Sequence, residues 1–249
     1  MGVQDPVGLP LVDRLDGLKT HTLDDYVKAA SEYVRECRSL AAGPQKAAQL
    51  RLSAGLGKSL LSSLQASLPD LEHGVVGERT VAGALRAVKA DVSEFHPLDG
   101  LRLAVELKPI NLAVGRAIWN RFGDIRSFAV NVHLKFPFSV LGGVLTIPTY
   151  EMSNTGSKKS TKHLIERAVN RLIRAGGRRS EGDAPHLLEG VGVVVYDPET
   201  AALDPDLPPR KSGLRWDEFI KQLAFAYDSR FGEGASAAQA QLEDEENEE

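Results

Sequence analysis

The chain has a single cysteine, Cys37, in 249 residues. That excludes an internal disulfide and any zinc site built from several thiolates, and makes a reducing cytoplasm the simplest compartment. No stretch approaches the roughly 18 consecutive apolar residues that cross a bilayer, so no membrane partner is expected. The opening MGVQDPVGLPLVDRLDG has no basic stretch followed by an apolar one, so no secretory signal is expected from it. Met1-Gly2 begins as a myristoylation motif would, but Pro6 stands where that motif needs Ser or Thr. His133 and His163 lack any ligand-like spacing. A strong excess of one charge is missing too. The formal charge is −4, yet the last seven residues hold six acids and no base; without them 28 acids face 30 bases.

What remains is an ordinary globular composition, 42% apolar and 26% charged, with length for one large domain and an extension. Three parts are expected: an N-terminal helical segment (1–70), an α/β core (71–231), and a disordered acidic tail (232–249). The tail has too little apolar surface to order itself. It either solubilises the chain or mimics nucleic acid and competes for a basic face.

Periodicity predicts a helix over 23–43, with Tyr26, Ala29, Ala30, Tyr33, Cys37 and Leu40 on one stripe. Thr22 is its N-cap and Gly43-Pro44 its stop. A second helix, or a broken pair, covers 44–68. Further helices are predicted over 78–88, 111–122, 158–177 (ended by Gly176-Gly177) and 216–231. Strands are predicted over 89–95, 101–108, 125–134, 140–148 and 190–197. The expected fold is a mixed sheet flanked by helices. Gly55, Gly57, Lys58 and Ser59 suggest a phosphate loop, but Leu52 occupies the position of the required first glycine and no strand precedes the run. No nucleotide cofactor is expected.

The chemistry concentrates in LRLAVELK, 101–108. Strict alternation places Leu101, Leu103, Val105 and Leu107 on one face, and Arg102, Ala104, Glu106 and Lys108 on the other. A two-residue Asp99-Gly100 turn pairs residues whose numbers sum to 199; a Pro97–Gly100 loop makes the sum 197. Both registers bring Asp91 to the Glu106/Lys108 face, with Cα separations of about 5–8 Å. Two carboxylates at that spacing can share one hard cation such as Mg²⁺. Such an ion polarises a phosphoryl oxygen and acidifies water, while Lys108 orients the water and offsets developing charge.

Asp91, fourteen intervening residues, Glu106-x-Lys108, on a hairpin with helices on either side, resembles the PD-(D/E)xK nuclease superfamily, which includes the type II restriction endonucleases. Ala90 stands where the motif's proline would be. The resemblance implies a restriction-endonuclease-like fold, metal ligation by Asp91 and Glu106, catalytic assistance by Lys108, and a further acid from the preceding helix, for which Glu78 is the candidate. It also implies Mg²⁺ as cofactor, double-stranded DNA as substrate, and a homodimer, since two sites cut two strands.

Residues 158–179 carry eight bases (Lys158, Lys159, Lys162, Arg167, Arg171, Arg174, Arg178 and Arg179) against one acid, Glu166. Arg167, Arg171 and Arg174 recur at helical spacing, and such a stripe neutralises phosphates when it is not simply a solvated face. Asn111, Arg116, Asn120 and Arg121, on the helix after Lys108, are further candidates for backbone contacts, with Trp119 assigned to the core. The expected function is a Mg²⁺-dependent restriction-type endonuclease. The alternatives are a phage-defence or repair nuclease with structure or modification specificity, and a non-catalytic DNA-binding protein on a nuclease-like fold.

Overall fold

The computed structural model describes residues 22–69, 71, 74–153 and 156–232. Residues 1–21 and the acidic tail beyond Gly232 lie outside the described residues, so the expectations made for them are not addressed by it.

Helix α1 (Leu23–Glu36) begins where Thr22 predicts, the threonine hydroxyl accepting the Asp25 N–H at 3.2 Å. It ends earlier than expected and passes through a 3₁₀ turn, Cys37–Ser39. Helix α2 (Ala42–Ser67) is one unbroken element, with Pro44 tolerated in its first turn. Gly55, Gly57, Lys58 and Ser59 lie inside it, so no phosphate loop forms there. Gly57 is the close-approach point of α2 on the sheet, since a Cβ there would sit 2.8 Å from Val76.

Strands β1 (Gly74–Val81), β2 (Val88–His96) and β3 (Gly100–Pro109) form an antiparallel meander. Helix α3 (Val114–His133) carries the chain back to β4 (Val140–Pro148), parallel to β3. A small hairpin, β5 (Tyr150–Met152) and β6 (Lys158–Ser160), precedes helix α4 (Lys162–Leu172). Strand β7 (Gly190–Asp197) lies parallel to β4, β8 (Ala202–Leu203) turns back on it, and helix α5 (Trp216–Phe231) closes the described chain. The result is an α/β fold with one six-stranded mixed sheet, order β1-β2-β3-β4-β7-β8, and helices on both faces.

Each face of the sheet has its own core. Val92, Leu103, Val105, Leu107, Val140, Val144, Val194 and Tyr196 pack with α1, α2 and α5. Leu101, Ala104, Leu141, Leu145, Ile147, Val191, Val193 and Val195 pack with α3 and α4. The central parallel strands β4 and β7 are covered on both sides, which is why they read as unbroken apolar runs. Every fully buried Leu or Val here contributes about 1.5–3 kcal/mol.

Four expectations about the elements are corrected. The 78–88 helix does not form: Thr80 and Val81 pair with Lys89 and Val88, and the following loop is tied down where Asn131 accepts from Ala84 and Arg86 N–H. Tertiary pairing overrides the local helical propensity of ERTVAGALRAV. The 125–134 strand is the second half of α3, where Ile125, Phe128, Ala129 and Val132 fall at helical spacing against the sheet. The 158–177 helix is shorter at both ends: Lys158–Ser160 is strand and the helix stops at Leu172, before Gly176. Finally, β3 does not alternate strictly. Glu94 pairs with Leu103 but Phe95 with Leu101, so Arg102 is an extra residue in a bulge. The bulge sends Leu101 to the α3 side and Arg102 to the α5 side, over the Phe231 ring at 5.2 Å.

Candidate active site

The hairpin loop is Pro97–Asp99, with His96 paired to Gly100 and Gly100 at φ +73°. The two-residue turn is not used. One residue of bulge then restores the 197 register, giving Glu94↔Leu103, Ser93↔Ala104 and Val92↔Val105. Continued by one step, this count sets Asp91 opposite Glu106. The ladder ends at Val92, however, and Leu107 N–H donates instead to Asp91 Oδ2 at 2.7 Å. A side chain has replaced the backbone as β3's partner at this point.

On the other side of Asp91, β1 contributes a second irregularity. Its register shifts between Val76 and Arg79, so Gly77 and Glu78 lie across from Asp91 in a bulge. Gly77 has φ +127°, a conformation that only glycine adopts without strain. Glu78 is thus on a strand, not on a helix as expected, and still reaches the neighbourhood of Asp91. It is engaged with Lys89 at 2.5 Å.

Glu78, Asp91, Glu106 and Lys108 line a cleft of about 340 Å³, together with Lys89, Arg86, Asp124 and Phe128. Glu78, Asp91 and Lys108 also border an adjoining space of about 330 Å³, walled by Lys46, Gln49 and Ser53 of α2 and by Asn111 and Arg121 beside or on α3. Shared lining residues make the two one groove, opening between α2 and α3 where β2 parts from β3.

Glu106 is buried and forms an ion pair with Lys108. Its carboxyl is pushed up to about 7, chiefly by burial, with Lys108 opposing and the negative charges of Asp91 and Asp124 adding to the rise. Burial also raises Asp91. The Leu107 N–H and Lys108 lower it, and Glu78 raises it. Two crowded, partly desolvated carboxylates of this kind are stabilised by any cation placed between them. Their donors are all oxygen, which suits a hard ion such as Mg²⁺, and Mg²⁺ commonly takes only one or two carboxylates plus water and phosphate. Among the described residues no three His, Cys, Asp or Glu side chains converge as a ready metal cage. Asp91 and Glu106 are oxygen donors that face the cleft together.

The basic residues predicted to hold nucleic acid divide. Arg167 and Arg171 are exposed on α4 and flank Trp119 of α3, their guanidinium carbons 5.7 and 4.4 Å from its ring centroid. Trp119 is half-buried, packed against the edge of the core with the two guanidinium groups at its ring. Arg174, Arg179, Arg116, Asn120 and Lys159 are exposed. Lys158 pairs with Glu199 at 2.8 Å and Lys162 with Asp204 at 3.4 Å. Two expectations fail. Arg178 is buried, donating to Pro137 O and Glu189 through Nη1 and to Glu181 O through Nη2. Asn111 is buried as well, its amide oxygen accepting from the Tyr196 hydroxyl at 2.9 Å. Both positions read as polar surface in the sequence because Pro137, which helps bury Arg178, and Tyr196, which holds Asn111, are 41 and 85 positions away.

Lys46, Gln49, Ser53 and Asp124 were not anticipated. The first three recur at three and four residues, the mark of a polar helix face, but nothing local says what that face overlooks. Asp124 falls within a helix whose continuity the sequence disguised. Comparisons with protein-family models, curated proteins and solved structures return no match to this chain.

Proposed function

We propose that this protein is a Mg²⁺-dependent endonuclease of the PD-(D/E)xK type, with Asp91, Glu106 and Lys108 as its catalytic core and double-stranded DNA as its substrate. The observation that carries this reading is the convergence of those three side chains, 17 positions apart in sequence, on one groove. The order of hairpin, crossover helix and parallel strand around them, β2-β3-α3-β4, agrees with a restriction-endonuclease-like fold.

Asp91 and Glu106 would hold the ion. When bound, Mg²⁺ supplies charge neutralisation at the scissile phosphate and lowers the pKa of water. Leu107 N–H fixes the Asp91 carboxylate, so its orientation is set before substrate arrives. Lys108 is ion-paired with Glu106, and its ammonium would orient the attacking water or offset charge on a phosphate oxygen. Lys46 and Arg121, on opposite walls, offer charge to the flanking phosphates. Arg167 and Arg171 add salt-dependent affinity. One groove per chain serves one strand, so double-strand cleavage is assigned to a homodimer.

A non-catalytic DNA-binding role is the second reading, and the pairing of Lys108 with Glu106 and of Lys89 with Glu78 is what favours it. Incubation of mixed plasmid and phage DNA, methylated and unmethylated, with Mg²⁺ or Mn²⁺ separates the two. Discrete fragments from the wild type, absent with Asp91→Ala and Lys108→Ala, support a sequence-specific nuclease. Binding without cutting favours the second reading, and cutting that survives both substitutions refutes this active site. Diffuse degradation or cutting confined to modified DNA indicates a defence or repair nuclease instead.

A further inference from the structure

A cavity of about 690 Å³ shares no lining residue with the candidate catalytic groove. It lies beside β7, between the turn after α4, residues 212–214 and the outer face of α5. Its size is that of small-molecule sites. The wall combines buried charge with apolar surface, and the charge is arranged around Glu189.

The Glu189 side chain is fully buried. Arg178 Nη1 lies 3.2 Å from it, Arg230 Nη2 2.7 Å, and His133 Nε2 3.3 Å, while Leu141 N–H donates to it at 2.8 Å. Two guanidinium groups thus converge on one carboxylate, and Arg179 adds a third at the exposed rim. Three arginines against one acid leave the cavity cationic. Arg178 Nε is buried and has no hydrogen-bond partner among the described residues, a donor held in place without an acceptor. At the mouth stands Phe225, 76% exposed, an aromatic face with nothing apolar over it.

A buried guanidinium donor, an exposed arginine at the rim and an open aromatic ring suit a ligand with a phosphate at one end and a planar body at the other. We propose that this cavity binds a mononucleotide unit, with its phosphate toward Arg178 and Arg179 and its base on Phe225. The same chemistry is presented by a free nucleoside 5′-monophosphate and by the 5′-phosphorylated end of a strand. The proposal stands independently of hydrolysis in the groove.

Calorimetric titration of the full chain in EDTA tests it, using the four deoxynucleoside 5′-monophosphates, the matching nucleosides, inorganic phosphate, and a short oligonucleotide with and without a 5′-phosphate. Arg179→Ala and Phe225→Ala alter exposed side chains and leave the core packing in place. Saturable one-to-one binding of a monophosphate, or of the phosphorylated oligonucleotide alone, is expected, and the arm that binds identifies the source. Each substitution should weaken binding about tenfold, the scale of one lost base–aromatic stack or charge-assisted hydrogen bond. Absence of binding to every probe at about 1 mM overturns the proposal. So does phosphate binding as tightly as the nucleotide, or binding unchanged by either substitution. Binding abolished by Asp91→Ala would place the nucleotide in the catalytic groove and likewise overturn it.

Discussion

Asp91 Oδ2 accepts the backbone N–H of Leu107 at 2.7 Å, taking the place of a strand partner at the point where the β2–β3 ladder ends. The carboxylate therefore has two duties, closing the sheet and facing the groove. Asp91→Asn keeps an acceptor for Leu107 but removes the charge, whereas Asp91→Ala removes both. Cleavage is expected to fall at least a hundredfold in each, by analogy with the loss of other preorganised electrostatic groups. Only the alanine variant should also lose about 1–3 kcal/mol of stability in urea titrations, from the orphaned N–H.

Glu106 gives the metal-free protein a pH dependence. Its carboxyl is pushed up to about 7 in the folded chain, against 4.5 for an unburied glutamate, because burial disfavours the charge. Between those values the folded state keeps a proton that the unfolded state releases. Stability should therefore fall as pH rises from about 4.5 to about 7, by up to about 3 kcal/mol, with the full cost present above 7. Denaturation across that window should show the slope in the wild type and a flatter profile in Glu106→Gln.

Divalent ions should reverse that cost. A proton on Glu106 competes with Mg²⁺, so affinity should strengthen as pH rises through about 7 and ion uptake should release protons. Mn²⁺ binding followed by electron paramagnetic resonance in the absence of DNA measures this directly. Affinity independent of pH from 5 to 8, or unchanged in Glu106→Gln, would mean that these carboxylates do not hold the ion.

The two classes of arginine should separate experimentally. Arg178→Ala strips a guanidinium from buried Glu189, which is otherwise held below its usual range: burial alone would raise it, but His133, Arg230 and the Leu141 N–H outweigh burial. Breaking such a pair costs about 3–5 kcal/mol. Arg171→Ala, on the exposed stripe, should change stability little. It should weaken DNA binding across sequences and reduce the salt slope by about one unit per lost phosphate contact.

Helix α2 supplies a wall of the groove, a role its sequence does not announce. Lys46→Ala should lower DNA affinity severalfold in anisotropy titrations and leave the melting temperature unchanged, since the side chain borders open space. An unaltered affinity would remove α2 from the substrate path.

Much of the architecture was legible along the chain. Val140–Pro148 and Gly190–Asp197 announce themselves as buried strands because both faces are covered, and Trp216–Phe231 as a helix because its apolar stripe is regular. Residues 125–134 carry β-branched and aromatic residues at spacings compatible with either period over a short window, so the pattern alone does not separate strand from helix there. Residues 78–88 carry a helical pattern, but their first half pairs across a hairpin with β2, and apolar spacing alone does not reveal that pairing.

The sequence by itself determined that Asp91, Glu106 and Lys108 lie on the two arms of one hairpin, while their shared face required the Arg102 bulge, which turns the even count at the His96–Gly100 turn into 197. It could not show the bulges at Gly77-Glu78 and Arg102, the end of the ladder at Val92, or the wall built by α2. Nor could it tell the buried Arg178 and Asn111 from the exposed Arg171 and Asn120. Those outcomes depend on contacts between residues far apart in the chain, whose desolvation and geometry exist only once the sheet has twisted and both helical layers have closed on it.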